Sequence, residues 1–319
     1  MVKNMENENL HIPVMLDEVL HYLCVRDGGV YVDGTFGNGG YTKAILDKGK
    51  DVKVIAFDRD INVLPRVREL KEIYGNRFIF FNECFSKVLP TLVDNKIISD
   101  CNGVDGLVLD IGVSSMQIDN AGRGFSFRFD ATLSMTMGKN DLDARDVLNN
   151  YSEKSLCDIF FMYGEEAKSK SIAKKIVKER ENNPIETTGQ LVAIIKDCVG
   201  EFYATKAIPR IFQALRIYVN DELGELSKIL DDSDKIIASG GRLVVVDFHS
   251  LEDRIVKKFM QSKTKLKENG SRYVPTDKNI SLEKLSFKIV QKNAILPTDR
   301  EVELNPRSRS AKLRVIEKI

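Results

Sequence analysis

The sequence predicts an α/β fold in which a doubly wound parallel sheet is interrupted by an all-helical domain. Two observations predict the sheet: short apolar runs alternate with helix-length segments, and the runs are rich in β-branched and aromatic residues. These runs occupy residues 30–36, 52–58, 77–82 and 104–112. Such runs are typical of parallel strands covered on both faces, and right-handed crossovers between them give a doubly wound sheet. A third observation, a long helical stretch, predicts the inserted domain.

The helical stretch runs from about residue 141 to residue 235. Its apolar residues recur at three- and four-residue spacing, the period of an amphipathic helix, and no convincing strand interrupts it. Strand character returns in three later runs, at 241–249, 286–293 and 311–318. We therefore predict a sheet domain in two parts, residues 1–135 and 236–319, around a helical insertion at 136–235 that recognises substrate. A lysine-rich stretch near 261–280 is expected to be a surface loop.

Composition argues against several classes of protein. The chain has 319 residues, and none of its apolar runs approaches the roughly 20 residues that span a bilayer. The polar N-terminus lacks the apolar segment of a signal peptide. Five cysteines are scattered without paired spacing, which argues against a disulfide framework or a metal site and favours the reducing cytoplasm. The formal net charge of +1 means that a polyanionic partner would be bound by local basic patches.

A glycine-rich loop follows the first predicted strand. Residues 33–40 read Asp-Gly-Thr-Phe-Gly-Asn-Gly-Gly and lead into a predicted helix. Glycine lets the backbone turn sharply and approach a ligand closely, and the N-terminus of a helix offers free N–H groups. The loop, with Gly37, Gly39 and Gly40, is therefore a candidate binding site for an adenosine cofactor. The alternative is a tight strand-to-helix turn that binds no ligand.

Two acids indicate which cofactor the loop binds. Asp33 ends the first strand, where a carboxylate would repel a pyrophosphate but could help to bind the ammonium of a methionine moiety. Asp58 ends the second strand, where an acid can accept hydrogen bonds from both ribose hydroxyls. The glycines also lack the Gly-x-Gly-x-x-Gly spacing of dinucleotide sites. Together these features favour S-adenosyl-L-methionine over NAD.

Two further loops are expected at the same edge, because ligands of open α/β sheets bind at the carboxyl ends of the strands. Phe85 follows the third strand and could pack on adenine, although a core position suits it equally well. Asp110 ends the fourth strand at the predicted switch point of the sheet. Gln117 follows in the next loop, and its amide can both donate and accept hydrogen bonds.

Nine stretches along the chain carry longer motifs. They are HIPVMLDEVL (11–20), YVDGTFGNGGYT (31–42), IAFDRD (55–60), DGLVLDIGVSS (105–115), RGFSF (123–127), YGEE (163–166), FQALRIYVNDEL (212–223), GGRLVVVDFHSLEDRIVK (240–257) and NPRSRSAKLR (305–314). The last three are long and unusual. The stretches resemble the ribosomal RNA small subunit methyltransferase H family, also described as MraW-type cytosine-N4 methyltransferases.

The resemblance implies a Rossmann-like class I S-adenosylmethionine-dependent methyltransferase fold with a helical insertion. It implies methyl transfer to N4 of a cytidine in the decoding region of small-subunit (16S) rRNA, within the assembling small ribosomal subunit. A homodimer is compatible with this function. The family's cofactor contacts fall on Gly39, Gly40, Tyr41, Asp58, Phe85, Asp110 and Gln117.

The chain departs from the family's pattern in three places. Tyr41 stands where the family commonly has histidine, and Met116 stands where it has proline. In the loop after RGFSF, Ser134 and Thr136 replace an acid and an arginine. These last two changes weaken the case that this loop binds substrate in the family's usual way.

Methylation of an exocyclic amine requires alignment more than a nucleophilic side chain. The amine lone pair is delocalised into the cytosine ring, so the enzyme must align N4 with the methyl group and provide a hydrogen-bond acceptor. Asp110 and His249 are the candidates for this catalytic role, and the resemblance favours cofactor binding for Asp110. His249 ends the fifth strand and could orient the base or move a proton; alternatively it caps the next helix together with Ser250, the favoured N-cap.

Arginines are the candidates for RNA contacts, since their guanidinium groups bind phosphate. The candidate residues are Arg210, Arg216, Arg307, Arg309 and Arg314. The lysines of the helical stretch are better explained as a solvated helix face. Three other functions stay open: a methyltransferase for another substrate, a non-catalytic module that binds S-adenosyl-L-methionine or RNA, and an NAD-dependent dehydrogenase.

Overall fold

The computed structural model describes residues 13–99, 102–138, 142–264 and 285–319. The chain divides into two compact units, which we call the sheet unit (Met1–Gly112 with Glu225–Ile319) and the helical unit (Val113–Gly224). The boundaries predicted from the sequence, after residues 135 and 235, both lie C-terminal to this division. A role of the helical unit in substrate recognition stays a prediction.

The sheet unit contains seven strands within the described ranges. They are β1 (Val30–Asp33), β2 (Lys53–Phe57), β3 (Phe78–Phe81), β4 (Val104–Asp110), β5 (Ile237–Asp247), β6 (Phe287–Ile289) and β7 (Lys312–Lys318). Their order across the sheet is β3-β2-β1-β4-β5-β7-β6. Strands β1 to β5 are parallel, whereas β7 pairs antiparallel with β5 and β6. Each strand overlaps a predicted run, although β5 begins four residues before the run at 241–249. The Rossmann-like fold is confirmed; the antiparallel edge was not predicted.

The described α-helices lie before and between these strands. They are α1 (Leu16–Leu23), α2 (Gly40–Leu46), α3 (Leu64–Tyr74), α4 (Val88–Asp94), α5 (Ser115–Asp119), α6 (Ala144–Asn150), α7 (Glu153–Met162), α8 (Ser169–Arg180), α9 (Thr188–Val199), α10 (Glu201–Asn220), α11 (Glu222–Ile236), α12 (Ser250–Thr264) and α13 (Asp299–Leu304). Because α12 extends to Thr264, the surface loop predicted near 261–280 is wrong for its first residues. The rest of that stretch lies outside the described residues.

The sheet is buried by helices because its strands carry apolar residues on both faces. On one face Val32 of β1 and Leu109 of β4 pack in the same cluster as Leu92 of α4 and Phe259 of α12. Such near-continuous apolar strands are typical of a parallel sheet covered on both sides. This packing fixes the strand ends, and with them the side chains that follow.

Four acids lie at the carboxyl edge of the sheet. Asp33, Asp110 and Asp247 are the last residues of β1, β4 and β5, and Asp58 comes directly after Phe57, the end of β2. Since these strands are parallel, their carboxyl ends share one edge. The winding reverses at β1, which pairs with β2 on one side and β4 on the other, and this reversal creates the usual ligand crevice of such sheets.

The helical unit has its own core, which includes Phe160 of α7, Ile172 of α8, Leu191 of α9 and Leu215 of α10. Capping boxes begin α5, α6 and α9 of this unit: for example, Asp143 accepts from two backbone amides at the start of α6, and Thr187 accepts from the amide of Gln190 at the start of α9. In the parts of the chain that the structure covers, no helix is both long enough and apolar enough to cross a membrane.

Candidate cofactor site

The glycine loop is fixed between the two strands that flank β1. The amide of Gly34 donates to the carbonyl of Val108 in β4 (3.0 Å), and the amide of Phe36 donates to the carbonyl of Phe57 in β2 (2.9 Å). The hydroxyl of Thr35 accepts a 2.7 Å hydrogen bond from the amide of Asp110. The loop therefore spans the switch point of the sheet, at the place that the sequence predicted.

The glycines of this loop are required for different reasons. Gly37 and Gly39 have φ angles of 52° and 71°, which favour glycine, and a Cβ on Gly39 would lie 2.8 Å from Leu70 Cδ1. Gly40 has no positive φ; a Cβ there would overlap the ring of Pro13. Packing alone thus explains the glycine at position 40, and its cofactor contact stays a prediction.

Asp33 is fully buried and organises the loop. One carboxylate oxygen accepts from the amide of Thr35 (3.1 Å) and the other from the hydroxyl of Thr42 on α2 (2.7 Å). Burial raises the pKa of Asp33 to about 6, although these hydrogen bonds oppose the shift. Its contribution to binding an ammonium group stays a prediction, since the contacts in the structure are internal.

Asp58 joins the second strand to the glycine loop. Its Oδ2 accepts from the amide of Gly37 (2.7 Å), and its Oδ1 accepts from the amide of Asp60 (2.8 Å). Burial raises the pKa of Asp58 to about 6, with the two amide hydrogen bonds acting in the opposite direction. Each carboxylate oxygen retains a second lone pair, so the predicted ribose contacts are compatible with these bonds.

Asp110 has an unsatisfied oxygen at the centre of this edge. Its Oδ1 is buried without a hydrogen-bond partner among the described residues. Burial, together with the neighbouring carboxylates of Asp33 and Glu252, raises the pKa of Asp110 to about 8. A buried acceptor without a partner is unfavourable unless a ligand supplies one, and a cation is the best match for a carboxylate.

The structure gives Tyr41 and Phe85 internal contacts. Tyr41 is buried in α2 and its hydroxyl donates to the carbonyl of Val14; burial raises its pKa well above the usual value. Phe85 is half-buried and packs against the sheet core, with its Cβ close to Gly34. A side-chain contact to the cofactor by Tyr41 is therefore disfavoured, whereas adenine packing by Phe85 stays a prediction.

Gln117 belongs to the helical unit, where it lies in the first turn of α5. Its Oε1 accepts from the amide of Ser114 (2.9 Å), while its own amide donates to Ser114 Oγ (3.3 Å). This reciprocal pair is a capping box for α5. The predicted cofactor contact of Gln117 stays a prediction.

Asp247 is a site candidate that the sequence reasoning missed. It is fully buried at the end of β5, and neither carboxylate oxygen has a hydrogen-bond partner among the described residues. Burial raises the pKa of Asp247 to about 8, together with the charges of Asp253 and Glu252, against the opposing charges of Lys312 and Arg314. The signal that identified Asp33 and Asp110, an acid at the end of a strand, could have identified it too.

His249 precedes α12 and occupies its capping position. Its Nδ1 accepts from the amide of Glu252 (3.4 Å), and its own amide donates to Glu252 Oε2 (3.2 Å). Its Nε2 lies 3.0 Å from Glu252 Oε1. Ser250, the expected N-cap, is instead the first helical residue. The alternative that His249 caps the helix is therefore supported, and its catalytic role stays a prediction.

The arginines proposed to bind RNA fall into two groups. Arg216 makes a bidentate ion pair with Glu222 (2.8 and 2.9 Å), and Arg314 binds Asp253 (2.7 Å). Arg210 lies 3.5 Å from the buried carboxylate of Glu166. In contrast, Arg307 and Arg309 are exposed on the short helical turn Pro306–Ser310. Arg210 is exposed as well, despite its carboxylate neighbour, whereas Arg216 and Arg314 are partly buried. RNA binding by any of the five arginines stays a prediction.

The loop that departs from the family's pattern is tightly bonded. Ser134 and Thr136 hydrogen-bond to each other through their hydroxyls (3.1 Å). The side-chain amide of Asn220 donates to the carbonyl of Met135 (2.8 Å) and accepts from the amide of Met137 (2.9 Å). Ser134 and Thr136 thus contact each other through neutral hydroxyls.

Comparison with known proteins decides the family. The model of the MraW methylase family matches residues 8–319. The chain belongs to the MraW methylase family. It is 45% identical over 316 residues to the ribosomal RNA small subunit methyltransferase H of Orientia tsutsugamushi, covering 98% of this chain and 99% of that protein.

Two more relatives carry the same name. The protein of Rickettsia felis is 45% identical over 311 residues, with 97% of this chain and 98% of that protein covered. The protein of Maricaulis maris is 47% identical over 307 residues, with 95% of this chain and 90% of that protein covered. Each similarity spans nearly the whole chain, so it includes both units.

This MraW-family chain is a methyltransferase, and its methyl donor is S-adenosyl-L-methionine. The residues at the carboxyl edge fit that donor, which carries an ammonium and a sulfonium cation: the unsatisfied oxygen of Asp110 and the remaining lone pairs of Asp33 and Asp58 are acceptors for a cationic nucleoside. When bound, the donor supplies an electrophilic methyl group on sulfur. The glycine loop and Asp58 would fix its nucleoside part, and Asp110 would face its cationic part.

Proposed function

We propose that this chain transfers a methyl group from S-adenosyl-L-methionine to N4 of a cytidine in the decoding region of small-subunit rRNA, within the assembling small ribosomal subunit. The observation that carries the proposal is the arrangement of acids around one glycine loop in a chain that resembles small-subunit rRNA methyltransferases from end to end. The relatives' names support rRNA as the substrate. The choice of N4 and of the decoding region rests on the resemblance.

For methyl transfer, the side chains mainly have to position N4 against the methyl group of the donor. With the donor bound, the lone pair of N4 would attack the methyl carbon while the carbon–sulfur bond breaks with its electron pair going to sulfur, and N4 would then lose one proton to water. No covalent enzyme intermediate is needed, so no thiolate is required. Burial raises the pKa of the Cys84 thiol, which precedes Phe85, and this keeps it protonated at neutral pH.

The two catalytic candidates, Asp110 and His249, are both engaged in other contacts. Asp110 has an unsatisfied oxygen, but its proposed contact with the donor's cation occupies it. His249 has Nδ1 engaged with the amide of Glu252 and Nε2 facing the carboxylate of Glu252. Asp110 is therefore assigned to the donor, and His249 primarily to the start of α12.

A methyl-transfer assay tests the proposed function. The full chain is incubated with donor tritiated on the methyl group and with small subunits from cells that lack the gene; free rRNA and DNA are assayed in parallel. We expect label in the rRNA of the particles, and its loss with Asp58→Ala. Label found in protein or DNA alone would contradict the proposal and favour another methyltransferase. Donor binding without any transfer would favour a non-catalytic module.

A further inference from the structure

A short segment of the helical unit presents aromatic rings to solvent. Residues 123–130, Arg-Gly-Phe-Ser-Phe-Arg-Phe-Asp, which we call the aromatic loop, alternate phenylalanine with arginine and small residues. Phe127 is 42% exposed and Phe129 is 60% exposed, and Arg128 between them is exposed as well. Phe125, by contrast, packs against the core of the unit. The loop thus anchors one ring and exposes the next two.

The backbone of the aromatic loop is fixed rather than free. The hydroxyl of Thr188 donates to the carbonyl of Phe129 (2.7 Å) and accepts from the amide of Ala131 (3.0 Å). The carboxylate of Asp130 accepts from the amide of Gly189 (2.8 Å). At the other end, the carbonyl of Arg123 accepts from the amide of Met135 (3.0 Å). These bonds fix the backbone that carries the exposed rings before any partner binds, which lowers the entropy lost on binding.

The ring of Phe127, the first exposed ring, also contacts a second aromatic ring. Phe127 packs edge-to-face on Phe212 of α10, with ring centroids 5.5 Å apart and an interplanar angle of 79°. The Phe127 ring is therefore stabilised by an aromatic neighbour while the residue stays partly exposed to water. Phe127 and Phe129 are exposed two residues apart with the exposed Arg128 between them, and this combination makes the loop a candidate binding surface.

The chemistry of the aromatic loop fits an unpaired nucleobase. Every base offers a flat π-face that stacks on phenylalanine, and an arginine beside the ring can bind the adjoining phosphate. A stable protein interface would usually bury about 800 Å² on each partner around a contiguous apolar centre. Two rings separated by a charged guanidinium match a single-stranded nucleotide better than such a centre.

We propose that the aromatic loop stacks on an unpaired base of the RNA substrate, with Phe129 as its main contact and Arg128 at the phosphate. This inference rests on the proposed function for the identity of the RNA. It assigns a substrate-binding role to one defined surface of the helical unit. It does not require that the stacked base be the methylated one.

Fluorescence tests the stacking directly because the chain contains no tryptophan. A Phe129→Trp variant carries a single fluorophore on the loop, and Phe202→Trp, at a position that is 88% exposed at the start of α10, is the matched control. The probe is a single-stranded RNA of about ten nucleotides, compared with an abasic ribose-phosphate strand of equal length. We expect the RNA to quench the loop fluorophore and leave the control unchanged, and the abasic strand to quench neither.

Three results would overturn the proposal. They are no quenching of the Phe129→Trp fluorophore by the RNA, equal quenching by the abasic strand, and quenching by rRNA-free ribosomal protein but not by RNA. The last result would assign the surface to a protein partner. Because this assay needs no methyl transfer, it remains informative if the proposed reaction fails.

Kinetics provide the second readout. Phe129→Ala and Phe129→Leu should each raise KM for small subunits about tenfold, with kcat and the Kd for S-adenosyl-L-methionine unchanged, since one stacking contact is lost. Phe202→Ala should leave all three constants unchanged. An unaltered KM in both Phe129 variants, while methyl transfer proceeds, would refute the role of the loop without affecting the proposed reaction.

Discussion

The amide of Gly37 donates a 2.7 Å hydrogen bond to Oδ2 of Asp58, so the acid after the second strand fixes the loop after the first. Asp58 accepts from the amide of Asp60 through its other oxygen, and it is buried enough for its pKa to rise to about 6. The residue that we expect to bind the ribose of the donor therefore also shapes the glycine loop. Loop geometry and donor binding are coupled through one carboxylate.

Replacing Asp58 with asparagine tests this coupling. Asp58→Asn keeps the size of the side chain but places an NH₂ group opposite one of the two backbone amides that Asp58 binds. The affinity for S-adenosyl-L-methionine should therefore fall about tenfold or more. Isothermal titration calorimetry with S-adenosyl-L-methionine measures the change. Asp94→Asn, at an exposed position at the end of α4, is the control and should bind normally. Equal affinity in the two variants would show that Asp58 has neither role.

The sequence predicted the strands and most of the carboxyl edge because both depend on local pattern. An apolar run ended by an acid identifies the end of a parallel strand, and this placed Asp33, Asp58 and Asp110 correctly at one edge. The same pattern does not predict which carboxylate oxygens accept hydrogen bonds from other residues. That depends on distant residues: Thr42 reaches Asp33, whereas no described residue reaches Oδ1 of Asp110.

The RNA-binding candidates show that residue type alone does not predict which arginines are available to bind phosphate. Arg216 was predicted to bind phosphate, but the chain turns at Asp221, whose φ is 48°, between α10 and α11. This corner places Glu222 against Arg216 as a bidentate partner. Likewise, the hydroxyl of Tyr41 binds the carbonyl of Val14, a contact set by how the N-terminal segment packs. Neither contact has a signal in the local sequence.

Donor binding should depend on pH through Asp110. Because burial raises its pKa to about 8, the neutral acid predominates at pH 7, and a cation beside it favours the carboxylate, so binding releases a proton. Affinity should therefore rise with pH up to about 8 and level off above it. Burial raises the pKa values of Asp33 and Asp58 only to about 6, so above pH 6 the pH dependence of the affinity comes mainly from Asp110.

Calorimetry in two buffers of different ionisation enthalpy measures the released proton. Asp110→Asn should lose most of the proton release near neutral pH as well as binding donor more weakly. A native enzyme whose affinity is the same at pH 6 and pH 8 would rule out a cation contact at Asp110.

Asp247 should make stability fall as the pH rises. Its pKa is raised from 3.8 in the unfolded chain to about 8 in the folded protein, so the folded state binds more protons between these values and loses stability across that interval. Asp247→Asn removes this titration. The free energy of unfolding of the variant, relative to the native chain, should increase from pH 4 to pH 8 by on the order of a few kcal/mol.

Urea denaturation of both proteins at several pH values checks this difference. Asp94→Asn is again the control, and its stability should follow that of the native chain. Parallel pH profiles for the native chain and Asp247→Asn would mean that the Asp247 carboxyl is not perturbed in the folded state.

Two variants of His249 distinguish a role in capping α12 from a role in proton transfer. His249→Ala removes the acceptor of the Glu252 amide and should destabilise the protein by about 1 kcal/mol, whereas His249→Asn restores a good N-cap and should recover most of that loss. If capping is the main role, both variants retain kcat within a few-fold. A His249→Asn variant that is stable but about a hundredfold slower would instead identify a proton-transfer role.

The central claim is that this chain methylates N4 of one cytidine in small-subunit rRNA. Mass mapping of the rRNA tests it most directly, using small subunits from cells without the gene, before and after treatment with the purified chain and S-adenosyl-L-methionine. We predict a gain of one methyl group on the base of a single cytidine in the decoding region, absent when Asp58→Ala replaces the native chain. A methyl group on the ribose, on another base, or nowhere in the rRNA would contradict the account.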